Sequence, residues 1–64
     1  MPPTARQLEQ HLLRAGWQRV KAKGGHRQYK HPDRPGRVTL PWHGSGGAEL
    51  GPKTVKSVER QAGL

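Results

Sequence analysis

Histidine is the residue type in this sequence best suited to acid–base chemistry, and one of the four histidines has an unusual position. His26 directly follows Gly24 and Gly25. Two residues without side chains let a bulky anion such as a phosphate approach the backbone closely. An imidazole exchanges protons near neutral pH, so it can act as a base or as an acid. The sequence therefore makes His26 a candidate for proton transfer beside a phosphate group. The alternative is that His26 is one exposed residue of a basic binding face, without a catalytic role.

The chain around His26 is strongly basic. Seven of the 12 lysines and arginines lie between Arg19 and Arg37, a segment in which Asp33 is the only acid. Lysine and arginine neutralise phosphates and supply much of the affinity for nucleic acid, and polar side chains add hydrogen bonds. We predict that this segment binds nucleic acid, either RNA or DNA, and the candidate contacts are Arg19, Lys21, Lys23, Gly24, Arg27, Gln28, Lys30 and Arg37. The alternative is a solvated strand face that keeps a small domain soluble.

The other histidines predict no further site. His31 precedes Pro32 and is expected to be structural, His11 lies among the exposed positions of a helix, and His43 lies in a glycine-rich segment. Their spacing matches no zinc motif, and the chain has no cysteine. We expect neither a metal nor another cofactor.

Length and composition limit the class of protein. The chain has 64 residues, a net charge of +8 and only 30% apolar residues, which predicts one domain over residues 1–64 with a small core. The lack of cysteine excludes a disulfide framework and fits a reducing compartment. No apolar stretch resembles a signal peptide or a membrane span. We expect a soluble, cytoplasmic protein that is monomeric without a partner and does not bind membranes.

Hydrophobic spacing predicts two helices around three strands. Thr4 and Gln7 form a capping-box pattern before the first helix, and Pro52 suits the first turn of the second helix. The predicted elements are a helix over residues 5–15, strands over residues 17–23, 26–31 and 37–40, and a helix from residue 52 to a stop at Gly63. The short links between strands predict an α+β fold: an antiparallel sheet covered on one face by two helices.

Alternation along the strands predicts which side chains face the helices. The apolar set is expected on the helix side, with Val20, Ala22, Tyr29, Val38 and Leu40. The polar set is expected on the opposite, open side, with Arg19, Lys21, His26, Gln28, Lys30, Arg37 and Thr39. Trp17 and Trp42 are expected to pack in the core or at its edge rather than to stack on bases.

Several short motifs occur together along nearly the whole chain. They are Gly16-Trp17, Lys23-Gly24-Gly25-His26, Tyr29-Lys30-His31-Pro32, Val38-Thr39-Leu40-Pro41, Thr54-Val55-Lys56-Ser57 and Gln61-Ala62-Gly63-Leu64. In this combination the chain resembles the HicA toxins. The family's pattern departs here at Gly25, where serine is usual, and at Arg27, where a second histidine is frequent.

The resemblance implies a fold, an activity and a partner. The fold is α-β-β-β-α, like that of double-stranded-RNA-binding domains. The activity is that of an endoribonuclease that cleaves mRNA, with His26 as its catalytic histidine and Gly24 as the turn residue beside it. The partner is an acidic HicB-like antitoxin that covers the active surface.

A non-catalytic double-stranded-RNA-binding module of similar architecture is the alternative function. Such modules bind phosphates largely through the start of the second helix. Only Lys53 and Lys56 lie there, whereas most of the charge lies on the strands. This distribution favours the toxin.

Overall fold

The computed structural model describes residues 3–64. The elements along the chain are α1 (Ala5–Arg14), β1 (Gln18–Lys23), β2 (His26–His31), β3 (Arg34–Pro41) and α2 (Pro52–Ala62). This order confirms the α-β-β-β-α prediction. Neither helix is long and apolar enough to cross a membrane within the part of the chain that the structure describes.

The helix ends form as the sequence predicts. The Thr4 side chain accepts a hydrogen bond from the Gln7 backbone N–H, and the Gln7 side chain accepts one from the Thr4 N–H. This capping box satisfies two N–H groups that the first turn of α1 would otherwise leave unpaired. α2 begins with Pro52 and ends at Gly63, whose φ of 70° is the left-handed conformation that favours glycine.

The three strands form one antiparallel sheet in the order β1-β2-β3. β3 begins at Arg34, three residues before its predicted start, so the link from β2 is only Pro32 and Asp33. The prediction assigned Pro35 to the turn because proline cannot donate to a ladder. An edge strand tolerates proline, since one of its sides has no ladder partner.

The core lies between the sheet and the two helices. Leu8 and Leu12 of α1 and Val58 of α2 are buried with Tyr29 of β2 and with Val38 and Leu40 of β3. Trp17 and Trp42 are 2% and 8% exposed, so both pack in the core as predicted. The helices cover β2 and β3, whereas every residue of β1 is exposed.

A bulge in β1 makes two of the predicted side-chain orientations wrong. Arg19 pairs with Tyr29 but Lys21 pairs with Gln28, so Val20 is an extra residue and the alternation shifts there. Arg19 therefore lies on the helix side. Val20 is 50% exposed and lies beside Gln18 and Lys30 on the open side. Ala22 keeps its predicted side but is exposed because the helices do not cover β1.

Candidate active site

The open face of the sheet carries a shallow depression of about 380 Å³ lined by polar and basic side chains. Its lining residues are Lys21, Lys23, His26, Gln28 and Thr39. The ladder explains the grouping, because Lys23 pairs with His26, and Gln28 pairs with both Lys21 and Thr39. Paired residues project to the same side of a sheet. The depression thus brings together Lys23 and four residues of the predicted polar face, which are Lys21, His26, Gln28 and Thr39.

The turn between β1 and β2 places His26 at the edge of this depression. Gly24 has a φ of 57°, and a β-carbon built on it would meet no atom within 4 Å. The backbone of the turn is therefore open to a large ligand on this side. His26 is exposed and begins β2, so its backbone is held by the ladder while its ring is accessible to solvent.

Two further cations extend the basic surface along the sheet. Lys30 and Arg37 are paired across β2 and β3, and both are exposed. The Nη1 of Arg37 donates a hydrogen bond of 3.1 Å to the Oε1 of Gln28, which lines the depression. The open face thus carries four cations around and beyond His26, which are Lys21, Lys23, Lys30 and Arg37.

The remaining two predicted cations lie on the helix side, where they surround Glu9 of α1. Arg27 donates a hydrogen bond of 3.1 Å from Nη1 to the Glu9 carboxylate, and Nη1 of Arg19 lies 3.8 Å from the same oxygen. The Glu9 side chain is only 14% exposed and the Arg27 side chain 22%. The structure therefore does not bring Arg19 and Arg27 together with the open-face residues.

Tyr29 completes the cluster around Glu9. Its hydroxyl donates a hydrogen bond to the same carboxylate oxygen that Arg27 contacts. Burial of the ring, followed by the hydrogen bond to Glu9 and the negative charge there, raises the pKa of the Tyr29 hydroxyl. Tyr29 therefore stays protonated and acts as a structural hydrogen-bond donor.

Trp42 links this cluster to the turn before His26. The Arg27 guanidinium lies over the Trp42 ring, with 3.5 Å between Cζ and the ring centre. The Trp42 backbone N–H donates a hydrogen bond of 2.6 Å to the Gly25 carbonyl. A path of contacts thus runs from Glu9 through Arg27 and Trp42 to the glycine turn.

His31 has a structural position, as predicted. Its Nδ1 accepts a hydrogen bond of 3.0 Å from the Asp33 backbone N–H, and its Nε2 lies 2.9 Å from the Ala15 carbonyl. The first bond requires an unprotonated Nδ1, so Nε2 carries the proton and donates to Ala15. Both ring nitrogens are used, and the ring packs edge-on against Trp17.

The sequence reasoning missed Glu9 and its links. Glu9 follows Ala5 by four residues, and Ala5 is buried on α1. That spacing places Glu9 beside the apolar stripe, which is a signal that an acid there would find a cationic partner. No three histidine, aspartate or glutamate side chains of residues 3–64 form a group that could hold a metal ion.

Comparison with known families identifies the chain's relatives. Residues 5–64 match the family model described as the HicA toxin of bacterial toxin–antitoxin systems. The chain belongs to the HicA toxin family. Comparison with curated protein sequences found no match. Membership of the HicA family assigns the chain the toxin role in a toxin–antitoxin pair and implies an antitoxin partner. The His26 depression of this HicA toxin is lined by two lysines and a histidine.

Proposed function

We propose that this protein is an endoribonuclease that cleaves mRNA at the His26 depression without a metal ion. The observation that carries the proposal is the exposed imidazole of His26 among Lys21, Lys23, Gln28 and Thr39 on the open face. Five shallow depressions are compared on the surface of residues 3–64, and among them only this one is lined by a histidine together with two lysines. A phosphodiester seated there meets a group that transfers protons and cations that attract its charge.

The proposed reaction is attack by a ribose 2′-oxygen on the adjacent phosphorus. The 2′-hydroxyl loses its proton, the P–O2′ bond forms, the P–O5′ bond breaks and the 5′-oxygen gains a proton. His26 performs one of the two proton transfers. Negative charge increases on the phosphorane oxygens, and Lys21 and Lys23 are placed to stabilise it. The products are a 2′,3′-cyclic phosphate and a 5′-hydroxyl.

Binding of the rest of the RNA strand is assigned to the cations farther along the open face. Lys30 and Arg37 extend the basic surface from the depression toward the other end of the sheet. Arg19 and Arg27 are directed toward Glu9, so we assign them to holding the fold rather than to RNA contact. This assignment revises the RNA-binding role that the sequence pattern gave them.

The first experiment tests metal-independent cleavage that uses the 2′-hydroxyl. Purified protein is incubated with an mRNA in excess EDTA, and the products are mapped. The proposal predicts cleavage with 2′,3′-cyclic phosphate ends, and no cleavage where the nucleotide before the scissile bond is replaced by its 2′-deoxy form. Cleavage that requires added Mg²⁺, or that proceeds without the 2′-hydroxyl, would contradict the mechanism.

A non-catalytic double-stranded-RNA-binding module remains the second candidate. The observation that favours it is a second shallow depression, lined by Lys53, Thr54 and Ser57 at the start of α2. Only one cation lines this surface, compared with two lysines and a histidine in the first depression. Binding of duplex RNA without cleavage, lost on Lys53→Ala but not on Lys21→Ala, would favour this module.

The antitoxin is proposed to be an acidic HicB-like protein that covers the open face in the cytoplasm. The net charge of +8 favours rapid encounter with a negatively charged partner. A stable complex buries on the order of 1,200–2,000 Å² in total. About half of that area, roughly 600–1,000 Å², would lie on this chain, which exposes 4447 Å² in all, so an antitoxin bound at the open face would cover much of that face. RNA would then be excluded from His26 by direct masking.

Hydrogen exchange tests the masking. The toxin is co-purified with the product of the adjacent gene, and amide exchange of His26–His31 is compared with that of the free toxin. Slower exchange together with loss of RNA cleavage is expected. Loss of cleavage with unchanged exchange in this strand would mean that inhibition acts indirectly.

A further inference from the structure

A second exposed imidazole, that of His43, lies at the same end of the sheet as His26. β3 ends at Pro41, which pairs with His26, and His43 follows two residues later. A β-carbon built on Gly25 would lie 3.7 Å from Cε1 of His43 and 3.9 Å from its Nδ1. Since consecutive Cα atoms are about 3.8 Å apart, Cε1 of His43 lies within roughly 9 Å of the His26 Cα. Both histidines therefore lie next to the Gly24–Gly25 turn.

The backbone on both sides of His43 is fixed. The preceding Trp42 is buried, donates its backbone N–H to the Gly25 carbonyl and donates Nε1–H to the Gly44 carbonyl at 3.0 Å. The His43 carbonyl accepts a hydrogen bond of 2.9 Å from the Gly46 N–H. Gly46 is required there, because its φ is 81° and a β-carbon at this position would clash with the Trp42 ring. The loop therefore holds His43 beside the glycine turn.

The His43 and His26 rings differ from the structural His31. Within residues 3–64, the rings of His26 and His43 make no hydrogen bond. Both ring nitrogens of His31, in contrast, are hydrogen-bonded to the backbone. His26 lies with Lys21 and Lys23 in the depression, and His43 lies against Gly25 of the adjacent turn. Both rings have nitrogens available for a bound molecule.

We propose that His43 is the second catalytic imidazole, performing the proton transfer that His26 does not perform. The inference rests on the proposed ribonuclease function, whose reaction has one proton to remove and one to deliver. One imidazole accepts the 2′-hydroxyl proton as the P–O2′ bond forms. The other, in its protonated form, gives a proton to the 5′-oxygen as the P–O5′ bond breaks. Exchange with water then restores both rings, so protons and electrons balance over the cycle.

The test separates the two proton transfers by changing the leaving group. Cleavage rates are measured for three variants, His26→Ala, His43→Ala and the control His11→Ala. The substrate is a short RNA whose cleavage site has been mapped with the wild-type protein. A second RNA carries sulfur in place of the scissile 5′-oxygen, because a thiolate leaves without a proton. His11 is an exposed residue of α1 that faces no part of the depression lining.

The proposal predicts that His43→Ala slows cleavage of the ordinary RNA roughly 10²–10⁴-fold, as loss of an acid or base does. RNA affinity and thermal stability stay near the wild-type values, and His11→Ala cleaves normally. On the sulfur-containing RNA, one of the two variants, His26→Ala or His43→Ala, recovers most of the wild-type rate and the other stays slow. His43→Gln behaves like His43→Ala, since an amide cannot transfer the proton.

Three results would overturn the inference. In the first, His43→Ala cleaves within about threefold of wild type while His26→Ala is inactive, which leaves the proposed function intact. In the second, the loss of cleavage is matched by a loss of RNA affinity, which makes His43 a binding residue. In the third, the sulfur-containing RNA restores the cleavage rate of both variants, or of neither. Wild-type activity in both variants would instead contradict the proposed function itself.

Discussion

The Cζ atom of Arg27 lies 3.5 Å from the centre of the Trp42 ring, and the same guanidinium donates a hydrogen bond to Glu9. One side chain thus joins α1, β2 and the loop after β3. The Arg27 guanidinium stacks on the Trp42 ring. The Trp42 backbone N–H in turn donates a hydrogen bond to the carbonyl of Gly25, the residue before His26. These contacts direct the Arg27 side chain into the fold rather than toward the open face.

Replacement of Arg27 by alanine is expected to lower the free energy of unfolding by about 1–3 kcal/mol. The loss combines the cation–π contact with a hydrogen bond to a largely buried carboxylate. Arg37→Ala is the control, because Arg37 is exposed, and its effect is expected to stay below about 0.5 kcal/mol. Urea unfolding of both variants measures the difference. Equal losses would show that the Glu9 and Trp42 contacts of Arg27 contribute nothing specific.

Replacement of Tyr29 by phenylalanine is expected to change how stability depends on pH. Burial and Glu9 raise the pKa of the Tyr29 hydroxyl above its ordinary value of 10.0, so the folded state keeps a proton that the unfolded state releases. Below pH 10.0 both states hold the proton and the stabilisation is complete; above it, the stabilisation falls as pH rises. Tyr29→Phe lacks this decline.

The measurement is the difference in thermal midpoint between wild type and Tyr29→Phe across this pH range. At neutral pH the variant is expected to be less stable by about 1.5–3 kcal/mol, the contribution of a hydrogen bond to a charged group. The difference should shrink in alkaline solution. All other residues are the same in the two proteins, so the comparison isolates the Tyr29 hydroxyl. A difference that does not change with pH would contradict the role of Glu9.

Replacement of Gly16 by alanine is expected to destabilise the fold more than the same change at Gly36. Both glycines have positive φ, 96° and 82°, so both variants lose about 1–2 kcal/mol to backbone strain. Only at Gly16 would the new β-carbon meet another group, lying 2.7 Å from Nε2 of His31. The extra loss should be about 1 kcal/mol or more. It should disappear in the His31→Ala background, and its persistence there would contradict the assigned clash.

The sequence predicted the element order and the glycine turn before His26 because both depend on local signals. The capping box at Thr4, the period of the apolar residues and the Gly24-Gly25 pair are readable within a few residues. The orientation of Arg19 was not predictable in this way. It follows from a bulge, which exists only once β1 has paired with β2.

Arg27 shows the second limit of the sequence reasoning. Its partner Glu9 lies 18 residues away along the chain, on another element. Charge alone made Arg27 a candidate for binding RNA, since a basic strand residue suits phosphate as well as it suits a carboxylate. Its contact with Glu9 forms only once α1 has packed against the sheet, so no local pattern shows it.

Removal of single open-face lysines is expected to weaken RNA binding and its salt dependence. Lys21→Ala and Lys30→Ala should each lower the slope of log K against log[salt] by roughly 0.7, the value for one contact with single-stranded RNA. Lys53→Ala, at the start of α2, should leave the slope nearly unchanged. Fluorescence titration over a range of salt concentrations measures all three. A larger decrease in the slope for Lys53→Ala than for Lys21→Ala would indicate that RNA binds at the start of α2 instead of at the open face.

The most direct test of the central claim is single-turnover RNA cleavage by His26→Ala in EDTA, measured alongside RNA affinity. If His26 is the acid–base group, cleavage falls roughly 10²–10⁴-fold while affinity changes by no more than about threefold. The variant should unfold at the same temperature as wild type, because the ring is exposed and makes no side-chain hydrogen bond within residues 3–64. Cleavage within about threefold of wild type would remove His26 from the reaction.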